Sequence, residues 1–392
     1  MNAQDVSRNA RLYSWYVTFR DPIFWGPVLI LSLMRLGKME LSDIYIMEGI
    51  VLIGFMVLEI PSGALADLIG RKKTIVVGAL FQLASKIWFA CITSPIDVWC
   101  ANILWMIGAS LTSGADSALL YDSLKEDGRE GEYRKIEGRA MGNWLFLVAV
   151  GSLAAGFLAE YSLRLPAILS IPGVLFSSVL PFFFKEPPAT KKYTPREQIH
   201  IMKTSSLFVL RHKKVMWILG FTTMIAVVSK IWFFSYNPYF EIVALDLKYY
   251  GIVFFVLNMV AWYFSRYADF FSKKMSEKTI MKLMVFLVGV PILFMGSVIS
   301  VFSVGMVFLQ NVVRGFTKPF FGEFLNRHLD SENRATVLSI QSAVSGLAQF
   351  VLLGAFGLLL TAYGLPFCLQ LLGGMVLILG TWEILAYKKT FP

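Results

Sequence analysis

The stretch PSGALADLIGRKKT, residues 61–74, sets glycine, alanine and one aspartate ahead of three consecutive basic residues, Arg71, Lys72 and Lys73, and it stands between long apolar runs. A charged, glycine-punctuated patch in that position is what a tight loop at a membrane surface requires. Glycines let helix ends approach closely, and basic residues stay on the side where they are inserted. Working outward, apolar stretches of about 20 residues recur along the chain, each long enough to cross a hydrocarbon core of about 30 Å at 1.5 Å per residue. They lie near 13–34, 42–60, 74–93, 98–122, 139–160, 165–184, 214–236, 248–266, 279–299, 303–326, 336–358 and 364–387. The sequence therefore predicts an all-α polytopic membrane protein of about twelve spans. Its 56% hydrophobic and 16% charged residues agree, since a soluble domain carries roughly 25% charged residues.

The net charge of +10 is explained by topology. With both termini cytoplasmic, the inside segments hold 27 of the 36 Lys and Arg, and the opposite loops hold Arg35, Lys38, Arg164 and Lys248. This bias orients the spans and calls for no nucleic acid. The three cysteines, Cys91, Cys100 and Cys368, lie in or beside apolar runs without metal or disulfide spacing. The N-terminal segment leads into a retained first helix with no small-residue cleavage site. Pro187, Pro188 and Pro195 mark 185–213 as a linker whose second part can form a basic amphipathic helix on the cytoplasmic surface.

That linker divides six spans from six, predicting an N-terminal bundle at 1–184 and a C-terminal bundle at 214–392. The halves share a repeat: SGALADLIGRKK after the second span and FSRYADFFSKKM after the eighth align Asp67 with Asp269, Ala66 with Ala268 and Arg71 with Lys273. The second copy lacks both glycines. Duplicated halves are a common plan for secondary transporters.

GALADLIGRKKT resembles the signature loop of the major facilitator superfamily (MFS), matching at Gly63, Leu65, Asp67, Gly70, Arg71 and Lys72. The span count, the linker and the degenerate second copy extend the resemblance over nearly the whole chain. It implies the MFS fold, two pseudo-symmetric six-helix bundles working by alternating access, with the loop latching their cytoplasmic ends. A cytoplasmic gate of Gly63, Asp67, Gly70, Arg71, Asp122, Arg139 and Asp269 follows. Arg71 can pair with Asp122 or Glu126, and Asp67 can face a helix N-terminus. SGADSALLYDSL with Arg139, and NRHLDSENRATVLS, look like a bacterial branch that includes drug-efflux proteins and siderophore transporters.

Ionisable residues inside spans point to a site, because each costs about 2.5–3.5 kcal/mol at the bilayer centre on insertion scales. The first span carries Arg20 and Asp21, and Asp21 shares a face with Trp25. The fourth carries Asn102, Trp105, Thr112 and Asp116, the seventh Thr223, Lys230 and Asn237, and the tenth Asn311, Arg314 and Lys318. In the family resembled, these four helices line the central cavity. Lys230, Arg314, Lys318 and Asn311, with Trp105 and Trp25, are thus the substrate-binding candidates, and the excess of cations favours an acidic solute. Glu48 and Lys86 suit a structural role, and Trp232, Tyr236 and Tyr239 an aromatic belt.

No Gly-x4-Gly-Lys loop is present, so transport must draw on a gradient. His200, His212 and His328 fall in cytoplasmic segments. Burial favours the neutral carboxylic acid and a neighbouring cation favours the carboxylate, so Asp21 and Asp116 are the proton-coupling candidates.

The fifth span has a small-residue surface, Gly142, Gly151, Ala155, Gly156 and Ala159, like that of exporters in the family. The expectation is a secondary transporter of the inner membrane performing proton-coupled efflux of a small acidic or amphipathic molecule. Symport of an organic anion or chelator is the alternative, and a lipid flippase or sensor would share the fold. No catalytic cluster argues for an enzyme. No cofactor or metal is expected, and the partners are solute, protons and lipid around a monomer.

Overall fold

The structure, a computed structural model, describes residues 3–188, 213–328 and 331–390. The proposed amphipathic helix of the linker, together with His200 and His212, lies outside the described residues.

Helix α1 (Ala3–Phe19) stops at Arg20, where Pro22 disfavours helical geometry at Asp21. The chain resumes through a 3-10 turn, Gly26–Val28, into α2 (Leu29–Arg35). Helix α3 (Leu41–Ile69) is followed by Gly70, whose φ of 100° only glycine adopts readily, and α4 (Arg71–Ala90) starts at the next residue. At α5 (Pro95–Thr112), Ser94 and Asp97 form a reciprocal capping box with Pro95 in the first turn. A second interruption follows at Ser113 and Gly114 (φ 74°), before α6 (Ala115–Lys125). Helices α7 (Tyr133–Tyr161) and α8 (Leu165–Val179) complete this part.

Beyond the linker come α9 (Lys213–Ile242), α10 (Leu247–Arg266), the short α11 (Ala268–Lys274) and α12 (Glu277–Ser297). They are followed by α13 (Met306–His328) and α14 (Ser331–Thr390). By length and composition, nine helices among the described residues can cross a membrane. One of them, Ile340–Tyr387, has 48 residues; at 1.5 Å per residue it is roughly twice a crossing. It breaks at Gly364 (φ 72°), two residues before Pro366. Two limbs there, plus the shorter apolar helices Gly26–Arg35 and Val301–Thr317, account for twelve crossings, and the protein is an all-α polytopic membrane protein.

The chain forms two compact units. The first comprises Met1–Met39, Ile50–Ile199 and Leu247–Phe254; the second comprises Glu40–Gly49, His200–Asp246 and Phe255–Pro392. In the first, α4 lies against α5 and α8, and α1 against α7 and α8. The small-residue face of α7 receives the start of α10: a Cβ on Gly156 would stand 2.5 Å from the Lys248 carbonyl oxygen. Close backbone packing therefore uses that face directly. In the second unit α14 packs on α9 and α12.

Candidate functional site

The two interruptions in the first unit meet. Arg20, in the break after α1, places Nη1 2.9 Å from Asp116 Oδ2, in the first turn of α6. Its Nε lies 3.8 Å from Asp21 Oδ2. The second carboxylate oxygen of Asp116 accepts a hydrogen bond from the Ser117 amide at 2.6 Å. Asp116 thus sits where a helix N-terminus offers free N–H groups and positive potential. Its residue exposure is 7%, against side-chain exposures of 30% and 38% for Arg20 and Asp21. An ion pair this sheltered changes character when its acid takes up a proton, since the guanidinium then loses its closest charge partner.

The pair borders a hollow of about 490 Å³ in the first unit. Its polar wall is Tyr13, Arg20, Asp21, Gln82, Asp116 and Glu137, and Phe55 and Trp105 supply apolar surface. Gln82 is held by a hydrogen bond from Nε2 to Thr112 Oγ1, at 2.8 Å. One cation therefore faces three carboxylates across the lining. Trp25 is not among the lining residues; it is buried with its ring centre 4.7 Å from that of Phe89. Lys86, one helical turn beyond Gln82 on α4, is 8% exposed and lies over Trp25, Phe89 and Trp105. Among the described residues no group of three or more His, Cys, Asp or Glu side chains could hold a metal.

The expected cationic residues of the seventh and tenth spans belong to the second unit and do not form one cluster. Lys230 Nζ lies 2.6 Å from Glu48 Oε1 and 5.0 Å from the Phe234 ring centre. Its charge is thus balanced by Glu48. Arg314 is exposed and donates to Asn258 Oδ1 at 2.6 Å. Asn311 is fully buried and donates to the Tyr236 hydroxyl at 3.0 Å, while that hydroxyl donates to Gln310 Oε1 at 2.7 Å. Lys318 is in α13, but its side chain lies outside the described residues, as does that of His328.

The aromatic-belt expectation for Trp232, Tyr236 and Tyr239 needs correction, because all three are buried. Tyr239 donates to the Met295 carbonyl at 3.0 Å, so its hydroxyl, like that of Tyr236, is satisfied inside the unit. Such groups are interior polar packing, not residues anchored at a lipid interface.

At the signature loop, Arg71 pairs with the buried Asp122 and donates to the Ala118 carbonyl at 2.7 Å. Glu186, which the sequence did not single out, accepts from the Arg71 and Lys72 amides at 2.7 Å each. The start of the linker is thereby tied to the first turn of α4. Asn9 fastens it as well, donating to the Lys185 carbonyl at 2.8 Å and accepting from the Lys185 amide at 2.9 Å. Asp67 occupies the last turn of α3, and Gly63 lies one turn earlier. Asp67 has no hydrogen bond or ion pair among the described residues. Arg139 is exposed on α7. Asp269 pairs locally with Lys273, at 2.7 Å on α11.

The sequence model of the Major Facilitator Superfamily matches residues 24–353. A Bacillus subtilis (strain 168) protein described as the uncharacterized MFS-type transporter YxaM is 23% identical over 370 residues, covering 87% of this chain and 86% of that protein. Among solved structures, the nucleoside transporter NupG superposes with a TM-score of 0.78 at 13% identity, over 99% of this chain and all of NupG. A D-xylose-proton symporter gives 0.71 at 13% identity, over 97% of each chain. At such identities the likeness to these structures is one of fold.

Proposed function

The chain belongs to the Major Facilitator Superfamily, and from that premise we propose that it is a proton-coupled secondary transporter of a small amphipathic organic solute. It would work by alternating access in a bacterial inner membrane, with both termini cytoplasmic. The observation that carries this reading is the Asp116–Arg20–Asp21 group, set where two spans are interrupted beside a hollow. Interrupted spans are where transporters of several folds hold substrates and coupling ions.

The lining also ties the charge of the solute to the sense of coupling. An anion entering beside Asp21, Asp116 and Glu137 is repelled until one of them is protonated, so anion and proton bind together. A cation competes with the proton for the same carboxylates, so the two exchange. The sequence favoured an acidic solute, and with this lining an acid is best carried by symport. Exchange, and with it efflux of drug-like amines, is the second reading, favoured by three carboxylates against one cation.

Proteoliposomes loaded with a pH-sensitive dye test the proposal against a panel of organic acids and amines. Symport predicts that an inward acid gradient drives protons inward, and exchange predicts that an inward amine gradient drives them outward. In either case Asp116→Asn should abolish the solute-dependent proton flux. Solute transport with no proton movement, or unchanged coupling in Asp116→Asn, would overturn the reading, as would solute-independent lipid scrambling.

A further inference from the structure

Lys86 is a charged side chain near the hollow that the account above leaves without a role. It is 8% exposed, and its ammonium lies 5.5 Å from the ring centre of Trp25, 5.9 Å from Phe89 and 5.9 Å from Trp105. Aromatic faces offset part of the hydration a buried cation loses. They accept no conventional hydrogen bond, and an ammonium carries three donors. Lys86 has no ion pair or hydrogen bond among the described residues. Beside it, the indole N–H of Trp25 is buried with no acceptor. Two donor groups on adjoining, largely buried side chains thus lack a partner, the Trp25 N–H being fully enclosed, and buried donors are seldom left so.

Asp21 acts on Lys86 electrostatically, but it lies outside ion-pair distance of Lys86, is 38% exposed, and stands 3.8 Å from Arg20. A purely structural counter-charge would be expected to close on its partner. The cage adjoins the hollow: Gln82 lines the hollow one turn before Lys86 on α4, and Trp105 both lines the hollow and forms part of the cage.

We propose that Lys86 and the Trp25 N–H form the subsite that takes the carboxylate of the transported solute, with Trp105 and Phe89 packing against its apolar body. The inference rests on the transport reading of the same hollow and adds to it the recognised group and the residues that hold it. One carboxylate supplies acceptors for both donors, and the rings suit an aromatic or branched acid better than a small hydrophilic one.

The test is equilibrium binding to the purified protein in detergent, with no gradient imposed, so it is independent of whether transport is coupled to protons. Benzoate is the probe, benzamide the uncharged isostere and chloride the inorganic anion. Binding is read as concentration-dependent thermal stabilisation, which follows ligand binding to the native state. Benzoate should stabilise saturably, and benzamide and chloride should not. Lys86→Gln should weaken the apparent affinity roughly 10- to 100-fold, the loss of a charge-assisted hydrogen bond. Lys86→Arg should keep part of it. Trp25→Phe preserves the ring and removes the N–H, and should weaken it roughly threefold to tenfold. Lys135→Gln, which removes a charge from the exposed surface of α7, should leave it unchanged.

Equal affinity in Lys86→Gln and the parent protein would overturn the proposal. So would equal stabilisation by benzamide, stabilisation by chloride alone, or no response to benzoate at millimolar concentration. Should Lys86→Gln fail to fold, Lys86→Arg and Trp25→Phe carry the test, and affinities unchanged in both would refute it.

Discussion

Gly70 and Glu186 offer a perturbation whose size follows from geometry. Glu186 spans the first two amides of α4 with its two carboxylate oxygens, each at 2.7 Å. Capping of this kind is worth about 0.5–2 kcal/mol, and an anion at a helix N-terminus adds a few tenths. Glu186 is exposed, so the low end applies, about 0.5–1 kcal/mol. A Cβ placed on Gly70 would lie 3.1 Å from the Glu186 carboxyl carbon, at a backbone φ of 100°. Alanine there carries a backbone cost of about 1–3 kcal/mol, and it displaces the flexible end of Glu186 as well.

Gly70→Ala is therefore expected to cost roughly 1.5–4 kcal/mol, the sum of the backbone and cap contributions. Glu186→Ala should cost only the cap. In a Glu186→Ala background, Gly70→Ala should cost less by about 0.5–1 kcal/mol, the coupling energy of the cycle. Unfolding equilibria in mixed detergent micelles measure all four corners. Strict additivity, with Glu186→Ala neutral, would refute the capping role of the linker's first residues.

Arg71→Ala removes the guanidinium that pairs with the buried Asp122. It should destabilise by about 2–4 kcal/mol, the range for a broken buried pair reduced for an arginine with a 21% exposed side chain, while Arg71→Ala with Asp122→Asn should recover part of that in the same unfolding assay. Gly114→Ala meets no atom within 4 Å, so only its left-handed backbone matters, costing about 1–2 kcal/mol; Gly114→Asn should cost less, and equal costs would argue against a backbone origin. Lys230→Gln leaves Glu48 without its 2.6 Å partner and should lower the thermal midpoint more than Glu48→Gln does, because Glu48, with a 12% exposed side chain against 31% for Lys230, is the more buried charge to strand.

The fold was legible because its signals are local. Each apolar run announces a span, and the glycine-aspartate-arginine loop falls where the second span must end. Arg71 and Asp122 could be paired from chemistry and position together. The interruptions at Arg20–Trp25 and Ser113–Gly114 were not legible, since each lies inside an apolar run of spanning length and its polar residues read as site residues within one continuous helix. A single Pro22 or Gly114 is as compatible with a kink as with a break. Partners remote in sequence were harder still: nothing in the spacing joins Glu186 to residue 71 or Glu48 to Lys230. Lys230 read as a substrate cation from its helix alone, with no signal in the sequence for its neighbour Glu48. Lys86 read as structural because its helix is not among those expected to line a cavity, and the subsite proposed for it is a different reading of the same residue.

Infrared difference spectroscopy of the purified protein during a pH titration tests the central claim most directly, because it observes carboxyl protonation without requiring the solute. The account predicts a band from a sheltered protonated carboxyl that is present in the parent protein and missing in Asp116→Asn, and that shifts when Arg20→Gln removes the guanidinium. Superimposable titration spectra for the parent and Asp116→Asn would show that this residue exchanges no proton, contradicting the mechanism built on it.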